Sequence, residues 1–229
     1  MQASSFAALR LMHLISPNLP TGAFTYSQGL EWAVECGWIS NEEEAKQWLQ
    51  CVLTDSLQYL ELPLLFRLYQ ALEHNRPLEF NQWSQWMYAS RETYELREEE
   101  KQRARALYSL LKKLPDSDNW TELENCKAAL LKSQVAAYAL AAKHWKISAN
   151  DLLLGYTWSW LENAVAAAIK LVPLGQSEGQ RLLYELTEDI VNTVEQASLM
   201  DDERIGASTP ALAIASSLHE NQYSRLFRS

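Results

Sequence analysis

Cysteine is scarce in this chain of 229 residues. Cys36, Cys51 and Cys126 are odd in number, far apart and without a C-x-x-C pair. This pattern argues against a disulfide-bonded secreted scaffold and favours a reducing compartment. The first fifteen residues, MQASSFAALRLMHLI, also lack the basic start and the small-residue cleavage site of a signal peptide. We therefore expect a cytoplasmic protein.

Positive charge and long apolar runs are also in short supply. The 20 Lys and Arg residues face 29 Asp and Glu residues, which gives a formal net charge of -9. Such a surface repels the phosphates of nucleic acids. The longest apolar stretch, residues 152–172, is interrupted by Glu162, Asn163 and Lys170, so it predicts a core helix rather than a membrane span. We expect neither nucleic acid nor a membrane as a partner.

The familiar catalytic motifs are missing from the sequence. It contains no G-x-x-x-x-G-K-[ST] phosphate loop, no G-x-S-x-G elbow and no H-E-x-x-H zinc motif. Its four histidines, His13, His74, His144 and His219, are scattered, so a metal site would need several helices to converge. We expect this chain to bind no nucleotide, metal or other cofactor directly.

One acidic cluster supports an alternative. The sequence MDDER places Asp201, Asp202 and Glu203 in a row, and an aspartate-rich helix end can hold Mg²⁺ against a substrate diphosphate. A helical metal-dependent enzyme that uses these three residues is therefore the alternative hypothesis. Against it, no second acidic motif is apparent on another helix, and a solvated connection explains the cluster equally well.

Patterns that start helices recur along the chain. At four places a hydroxyl residue stands three positions before a carboxyl or amide residue, and at a fifth a threonine precedes a proline. The first residues of these five patterns are Ser40, Thr121, Ser148, Ser177 and Thr209. They predict a chain dominated by helices.

The apolar spacing leads to the same prediction. Between Ala45 and Leu60 the apolar residues recur every three or four positions, which predicts one buried helical face. Pro63 predicts a bend or break, Pro77 a helix boundary, and residues 80–114 a long helix with a solvated, charged surface. No run alternates with a period of two. We predict an all-α, single-domain multi-helix bundle over residues 1–229, with no sheet.

The loop SPNLPTGAFTYSQGLE, residues 16–31, combines two prolines and two glycines with aromatic and hydroxyl side chains. Prolines restrict the loop, and glycines allow left-handed turns or close backbone approach. Exposed aromatic side chains on a rigid loop are typical of a recognition surface. A buried turn between two helices explains the same composition, and the sequence leaves both interpretations open.

Four stretches follow one another along the chain: SPNLPTGAFTYSQGLE, SRETYELREEEKQRARAL from Ser90, KLVPLGQSEGQRLL from Lys170 and HENQYSRLFRS from His219. Together they resemble the UreF family of urease accessory proteins over the whole length of the chain. The resemblance implies an all-α fold of the UreF type and a homodimer. It also implies a non-catalytic urease maturation factor that bridges the UreD (or UreH) accessory protein and the UreG GTPase on apo-urease. That factor couples GTP hydrolysis to nickel delivery, while its partners handle GTP and nickel.

The resemblance also implies roles for particular residues. The loop residues of the family's N-terminal motif are placed near the GTPase contact or the dimer centre: Pro20, Gly22, Phe24, Ser27, Gly29 and Glu31. The tail, residues 221–229, is expected to order on the UreD-like partner through Tyr223, Arg225, Leu226, Phe227 and Arg228. Few contacts of the tail within its own chain are expected, although a tail docked on its own chain is the alternative.

Predictions also concern two further groups of residues. Arg91, Glu92, Glu95 and Arg97 have helical spacing suited to ion pairs within one helix, so we expect a solvated surface there. Glu162 is a carboxylate within an apolar stretch, where burial is costly unless water reaches it. A water-filled channel would relieve that cost, and the family resemblance implies a nickel passage, so Glu162 and Lys170 are candidate positions on a nickel path. The dipole at the C-terminus of its helix explains Lys170 equally well.

Overall fold

A computed structural model describes residues 2–206 and 209–229, with side chains from residue 5 onward. These ranges contain thirteen α-helices and no strand, which confirms the all-α prediction. The helices are α1 Gln2–Leu14, α2 Leu30–Glu35, α3 Glu42–Cys51, α4 Leu62–Glu73, α5 Pro77–Ala89, α6 Tyr94–Leu111, α7 Glu122–Asn125, α8 Lys127–Leu130, α9 Gln134–His144, α10 Ala149–Leu171, α11 Gln176–Glu185, α12 Thr187–Ser198 and α13 Pro210–His219. A π-helix, Val52–Glu61, joins α3 to α4. Short 3-10 helices cover Ala23–Thr25, Ser117–Asn119 and Asp202–Arg204. The domain predicted over residues 1–229 includes Met1, Ala207 and Ser208, which lie outside the described residues.

The core is built around α9 and α10. Residues 134–142 of α9 are buried on every side, because α4 and α6 pack against this helix. The larger apolar cluster also includes α10, α11 and α12. A smaller cluster surrounds α2 and contains Leu30, Ala215 of α13 and Phe227. Within residues 2–206 and 209–229, no helix is long and apolar enough to cross a membrane; α10 is a core helix, as predicted.

Two of the five predicted helix starts match the structure. The Ser148 hydroxyl accepts a hydrogen bond from the Asp151 N–H at 3.1 Å and donates to the Asp151 carboxylate at 2.7 Å. This reciprocal cap starts α10 at Ala149. The helix α13 begins at Pro210, where a missing N–H costs no hydrogen bond.

The other three predicted starts differ in detail. Asn41, not Ser40, caps α3 by accepting a hydrogen bond from the Glu44 N–H at 3.0 Å. Gly175 precedes α11 and donates its N–H to the Glu178 carboxylate, so this helix starts before Ser177. Thr121 precedes α7 but makes no side-chain cap. The pattern thus locates these helices to within two residues. A neighbouring group caps α3 and α11, whereas α7 begins directly after Thr121, as predicted, without a side-chain cap.

A bend or a break is predicted at Pro63, and the structure shows no break, because the chain stays helical there. Proline has no N–H to donate to the carbonyl four residues earlier, which belongs to Tyr59. The Gly206 N–H donates to that carbonyl at 2.8 Å instead. The ten residues before α4 adopt π-helical geometry, a rare form of helix that mostly occurs as short bulges within α-helices.

The single long helix predicted over residues 80–114 is two helices. The helix α5 ends at Ala89, and α6 starts at Tyr94 after a backbone turn. Thr93 caps α6, since its hydroxyl accepts a hydrogen bond from the Leu96 N–H at 3.2 Å. The same hydroxyl lies 2.8 Å from the Ser216 hydroxyl of α13. The break between α5 and α6 therefore allows Thr93 to connect the start of α6 to α13.

Candidate partner-binding site

The tail folds back onto its own chain. Phe227 is 6% exposed and packs in the smaller apolar cluster. The Arg228 N–H donates to the Thr25 carbonyl at 2.8 Å, and the Ser27 N–H donates to the Ser229 carbonyl at 2.6 Å. The expectation of few contacts within the chain is therefore wrong, and the docked alternative describes this structure. The tail and the loop of residues 16–31 lie side by side.

The carboxylate of Glu31 is the main anchor of the tail. Glu31 is buried at the start of α2, and its two oxygens accept hydrogen bonds from the N–H groups of Leu226 at 2.6 Å and Phe227 at 2.8 Å. Ser27 supports this anchor, because its hydroxyl accepts from the Glu31 N–H at 3.3 Å and donates to the Ser229 carbonyl at 2.6 Å. Because the Glu31 carboxylate is charged, its hydrogen bonds to the Leu226 and Phe227 N–H groups are stronger than hydrogen bonds between neutral groups.

A second carboxylate, that of Glu95 on α6, holds the tail from the other side. Its Oε1 accepts a hydrogen bond from Arg225 Nη1 at 2.6 Å, and its Oε2 lies 2.7 Å from Nδ1 of His219. His219, at the end of α13, is fully buried, and its Nε2 lies 3.1 Å from Glu31 Oε2. One histidine thus connects the two carboxylates that hold the tail.

Sequence reasoning missed both His219 and Glu95. His219 was one of four scattered histidines, and Glu95 was placed on a solvated surface. Both residues lie inside the stretches that carry the family resemblance, HENQYSRLFRS and SRETYELREEE. That position was the available signal, but charge and spacing alone do not distinguish a buried carboxylate from an exposed one.

The loop of residues 16–31 is a buried turn in one part and a surface in another. Leu19 and Tyr26 are buried, whereas Phe24 is 62% exposed and Pro20 is exposed. Each of the two interpretations left open by the sequence therefore describes part of the loop. Gly22 has a left-handed backbone with φ +75, a conformation that glycine adopts without strain.

Gly29 lets α2 approach α13 closely. Its φ is +82, and a Cβ atom there would lie 2.8 Å from the backbone nitrogen of Ser216. No other residue fits this contact without a shift of one helix. Gly29 therefore determines where Glu31 sits relative to His219.

Two apolar side chains of the tail stay on the surface. Tyr223 is fully exposed and Leu226 is 66% exposed. They line a cavity of about 540 Å³ together with Lys170 of α10. The Lys170 ammonium also lies 5.6 Å from the centroid of the Phe227 ring. Partner binding by the tail residues and the loop residues stays a prediction.

Glu162 and Lys170 lie apart on α10. They are eight residues apart, which corresponds to about 12 Å along an α-helix. Lys170 is exposed near the tail, whereas Glu162 is half-buried. Burial raises the pKa of Glu162 above its ordinary value. The role of Glu162 and Lys170 in a nickel path stays a prediction.

The predicted solvated surface is wrong for Arg91, in the turn before α6, as well as for Glu95 on α6. Arg91 is buried and donates hydrogen bonds to the Glu61 carboxylate at 2.7 Å and the Glu100 carboxylate at 2.8 Å. Burial alone would raise the pKa of Glu61, but the charge of Arg91 and its hydrogen bond bring that pKa below the ordinary value. Of the four residues named, Glu92 is exposed as expected and Arg97 is half-buried.

The acidic cluster of residues 201–203 is exposed. Asp202 accepts a hydrogen bond from Arg67 Nε at 2.6 Å, and Arg67 Nη2 donates to the Met200 carbonyl at 2.6 Å. Across the described ranges, no group of three or more His, Cys, Asp and Glu side chains is arranged to hold a metal ion.

The three cysteines are free thiols, of which Cys126 is buried.

Comparison with known proteins identifies the family. A family model described as UreF matches residues 39–187. A protein of Alcanivorax borkumensis named urease accessory protein UreF is 53% identical over 225 residues, which covers 97% of this chain and 98% of that protein. This chain belongs to the UreF family. A UreF protein of Pseudomonas putida strain W619 is 46% identical over 228 residues and 99% of both chains, and one of Hahella chejuensis is 45% identical over 225 residues.

Membership of the UreF family confirms two predictions. This UreF-family chain is a urease accessory protein, and it is not an enzyme. The family model covers neither the loop of residues 16–31 nor the tail, but the relatives from Alcanivorax borkumensis and Pseudomonas putida strain W619 align over 97% and 99% of the chain. The metal-dependent enzyme based on residues 201–203 is therefore set aside.

Proposed function

We propose that this chain is the non-catalytic adaptor of urease maturation that bridges the UreD/UreH accessory protein and the UreG GTPase on apo-urease. In this role it couples GTP hydrolysis to nickel delivery. It acts in the cytoplasm as a homodimer, and its partners bind the GTP and the nickel. One observation carries the proposal: the two predicted binding elements, from opposite ends of the sequence, form one continuous surface.

The residues of this surface divide into two groups by their contacts. One group shapes and holds the surface: Pro20, Gly22, Ser27, Gly29, Glu31, Arg225, Phe227 and Arg228. The other group presents exposed apolar area to a partner: Phe24, Tyr223 and Leu226. Aromatic and large aliphatic groups contribute most of the binding energy in protein interfaces. We assign the second group to direct contact with the UreD-like partner or the GTPase.

The exposed tail residues provide the test of this assignment. We expect the double variant Tyr223→Ser, Leu226→Ser to stay folded with its tail docked, because Phe227 and the backbone hydrogen bonds to Glu31 are untouched. Its affinity for the UreD-like partner should fall by about tenfold or more, since burial of such anchors is worth at least about 1.4 kcal/mol. Light scattering on a sizing column, followed by a titration, measures both properties.

A matched control uses an exposed tyrosine and leucine elsewhere. Tyr184 and Leu199 are 84% and 74% exposed on the α11–α12 side of the molecule. The double variant Tyr184→Ser, Leu199→Ser should bind the partner like the unmodified chain. Equal binding by all three proteins would show that Tyr223 and Leu226 of the tail do not contribute to the interface. Loss of binding in the control alone would move the interface to α11 and α12.

Glu162 and Lys170 form the proposed nickel path. Glu162 is a half-buried carboxylate in an apolar helix, and its raised pKa reflects that burial. We expect Glu162→Gln to leave complex assembly intact and to slow urease activation, because the amide keeps the shape but binds a cation weakly. The rate of activation of apo-urease with added nickel measures this. An unchanged rate with intact assembly rules out the path.

A further inference from the structure

Most of the excess negative charge of this chain lies in one segment. Residues 182–203 contain seven of the 29 Asp and Glu residues and none of the 20 Lys and Arg residues. They include the end of α11, all of α12 and the turn that follows. This segment therefore carries most of the formal net charge of -9, and the rest of the chain is close to neutral.

Only part of this charge is balanced within the protein. Lys46 of α3 lies 2.6 Å from the Glu185 carboxylate. Gln50 donates to the Asp189 carboxylate at 3.1 Å, and Asp202 is paired with an arginine. The other four carboxylates are exposed, and within residues 5–206 and 209–229 no hydrogen-bond donor or cation contacts them. These four free carboxylates belong to Glu188, Glu195, Asp201 and Glu203.

The buried face of α12 determines which of its residues point outward. Ile190 and Val194 are buried where α12 packs against the π-helix, α10 and α4. Glu188, Val191 and Glu195 lie on the outward face, at spacings of three and four residues. A free carboxylate therefore stands on each side of an exposed valine.

Exposed apolar side chains continue this pattern at both ends. Tyr184, at the end of α11, is 84% exposed, and Leu199, directly after α12, is 74% exposed; Val191 between them is 52% exposed. Single exposed apolar residues are ordinary. Here three of them alternate with Glu188 and Glu195 every three or four positions, which is the spacing of a helix–helix interface. We call these five residues the acidic stripe.

The charge of the acidic stripe excludes several occupants. In a second copy of this chain, the same stripe would bring carboxylates against carboxylates, and such like-charge contacts are costly. Nucleic acids and anionic lipid surfaces carry negative charge and are repelled as well. A helix with lysine or arginine on both sides of an apolar face complements both the charge and the spacing of the stripe.

We propose that the acidic stripe is a docking surface for a basic amphipathic helix of another protein. That helix lies along α12, covers Tyr184, Val191 and Leu199 with its apolar face, and places its cations next to Glu188 and Glu195. The concentrated negative charge also speeds the encounter with a basic partner and makes it depend on salt. This inference goes beyond the proposed function and does not rest on it.

The probe is a synthetic peptide of about 18 residues, with leucine on one helical face, lysine on both sides of that face and alanine elsewhere. As a helix it is about 27 Å long, which is enough to span the stripe. We expect it to bind the full chain at about 50 mM salt, measured by fluorescence anisotropy, and to become helical on binding, measured by circular dichroism. Its affinity should fall about tenfold or more at about 0.5 M salt, because salt screens exposed charges.

A control peptide carries glutamate in place of every lysine. It has the same apolar face and the opposite charge, so we expect no binding to the full chain. Absence of binding by the lysine peptide, or equal binding by both peptides, overturns the inference. A lysine peptide that binds without becoming helical also overturns it, because the stripe would then not recognise a helix.

Charge reversal on the stripe locates the binding. Glu188→Lys, Glu195→Lys should weaken the lysine peptide at least about tenfold, since like charges then face each other. Lysine is a good helix former, so α12 should persist; Glu188→Gln, Glu195→Gln replaces this variant if thermal unfolding shows otherwise. The matched control is Asp116→Lys, Asp118→Lys, which makes the same change in net charge in the loop between α6 and α7, where both residues are exposed. Equal losses in the two variants mean that the peptide responds to net charge alone and overturn the inference.

Two further readouts separate the remaining occupants and the proposed function. Light scattering should give the same oligomeric state for the unmodified chain and for Glu188→Lys, Glu195→Lys; a change would assign the stripe to a second copy and overturn the inference. Tyr184→Ser, Leu199→Ser should weaken the lysine peptide. The same variant is the control for the UreD-like partner, because the tail and not the stripe is proposed to bind that partner. The two titrations therefore succeed or fail independently.

Discussion

At the residue scale, Arg91 is a buried charge with two carboxylate partners. It lies between the carboxylates of Glu61 and Glu100, and Glu100 also accepts hydrogen bonds from the Ser133 hydroxyl and the Gln134 N–H. The cluster connects the end of the π-helix, the turn before α6 and the start of α9. A buried charge of this kind contributes little net stability but is expensive to leave unpaired.

Removal of the Arg91 charge should destabilise the protein strongly. Arg91→Met keeps most of the side-chain volume but leaves two buried carboxylates without a cation. We expect a loss of about 3–5 kcal/mol in the free energy of unfolding, measured by urea denaturation.

The control is an exposed arginine in an ion pair. Arg76 lies 3.4 Å from Glu79, and both side chains are about half exposed. Arg76→Met should change stability by less than about 1 kcal/mol, as is usual for surface pairs. Equal losses in the two variants would show that the Arg91 cluster is open to water.

At the element scale, the contact between α2 and α13 depends on a glycine. Gly29 and Gly37 flank α2 with almost the same backbone, φ +82 and φ +80. A Cβ at Gly29 would meet the Ser216 backbone at 2.8 Å, whereas a Cβ at Gly37 would meet nothing within 4 Å. A comparison of substitutions at Gly29 and Gly37 therefore separates the cost of backbone strain from the cost of disturbing the contact between α2 and α13.

Alanine at these two glycines should have unequal effects. Gly37→Ala should cost about 1–2 kcal/mol through left-handed strain alone. Gly29→Ala carries the same strain and also pushes α13 away from α2, which moves His219 relative to Glu31. We expect a larger stability loss together with faster exchange of the Leu226 and Phe227 amides. Thermal unfolding measures the stability loss, and hydrogen exchange measures the exposure of the tail amides. If Gly37→Ala also speeds exchange of the tail amides, the effect comes from backbone strain and not from the contact between α2 and α13.

Local signals in the sequence located five helix starts to within two residues, because the groups that decide a helix start are close in sequence. Ser148 with Asp151 and the proline at residue 210 are examples. The failures involve groups that come from far away. Pro63 leaves a carbonyl that Gly206 satisfies, 147 positions from Tyr59, and no nearby residue reveals that partner. A break was therefore the natural local prediction.

At the scale of the whole molecule, the sequence indicated the fold class and the family but not the position of the tail. Its apolar residues predicted that the tail is an interface; Tyr223 and Leu226 are exposed, and their role in an interface stays a prediction. The docking of Phe227 depends on Glu31 and Glu95, whose spacing within their own helices resembles that of solvated carboxylates. Only the assembled fold shows that α13 brings His219 between them.

The bonds that dock the tail span almost the entire chain. Glu31 and Leu226 are 195 positions apart, and Ser27 and Ser229 are 202 positions apart. Loops of this length close late and slowly. On the ribosome, at about 5–20 residues per second, α2 emerges on the order of ten seconds or more before the tail exists. The surface is therefore assembled last, and a nascent chain stopped before residue 226 leaves the Glu31 carboxylate without the Leu226 and Phe227 N–H groups.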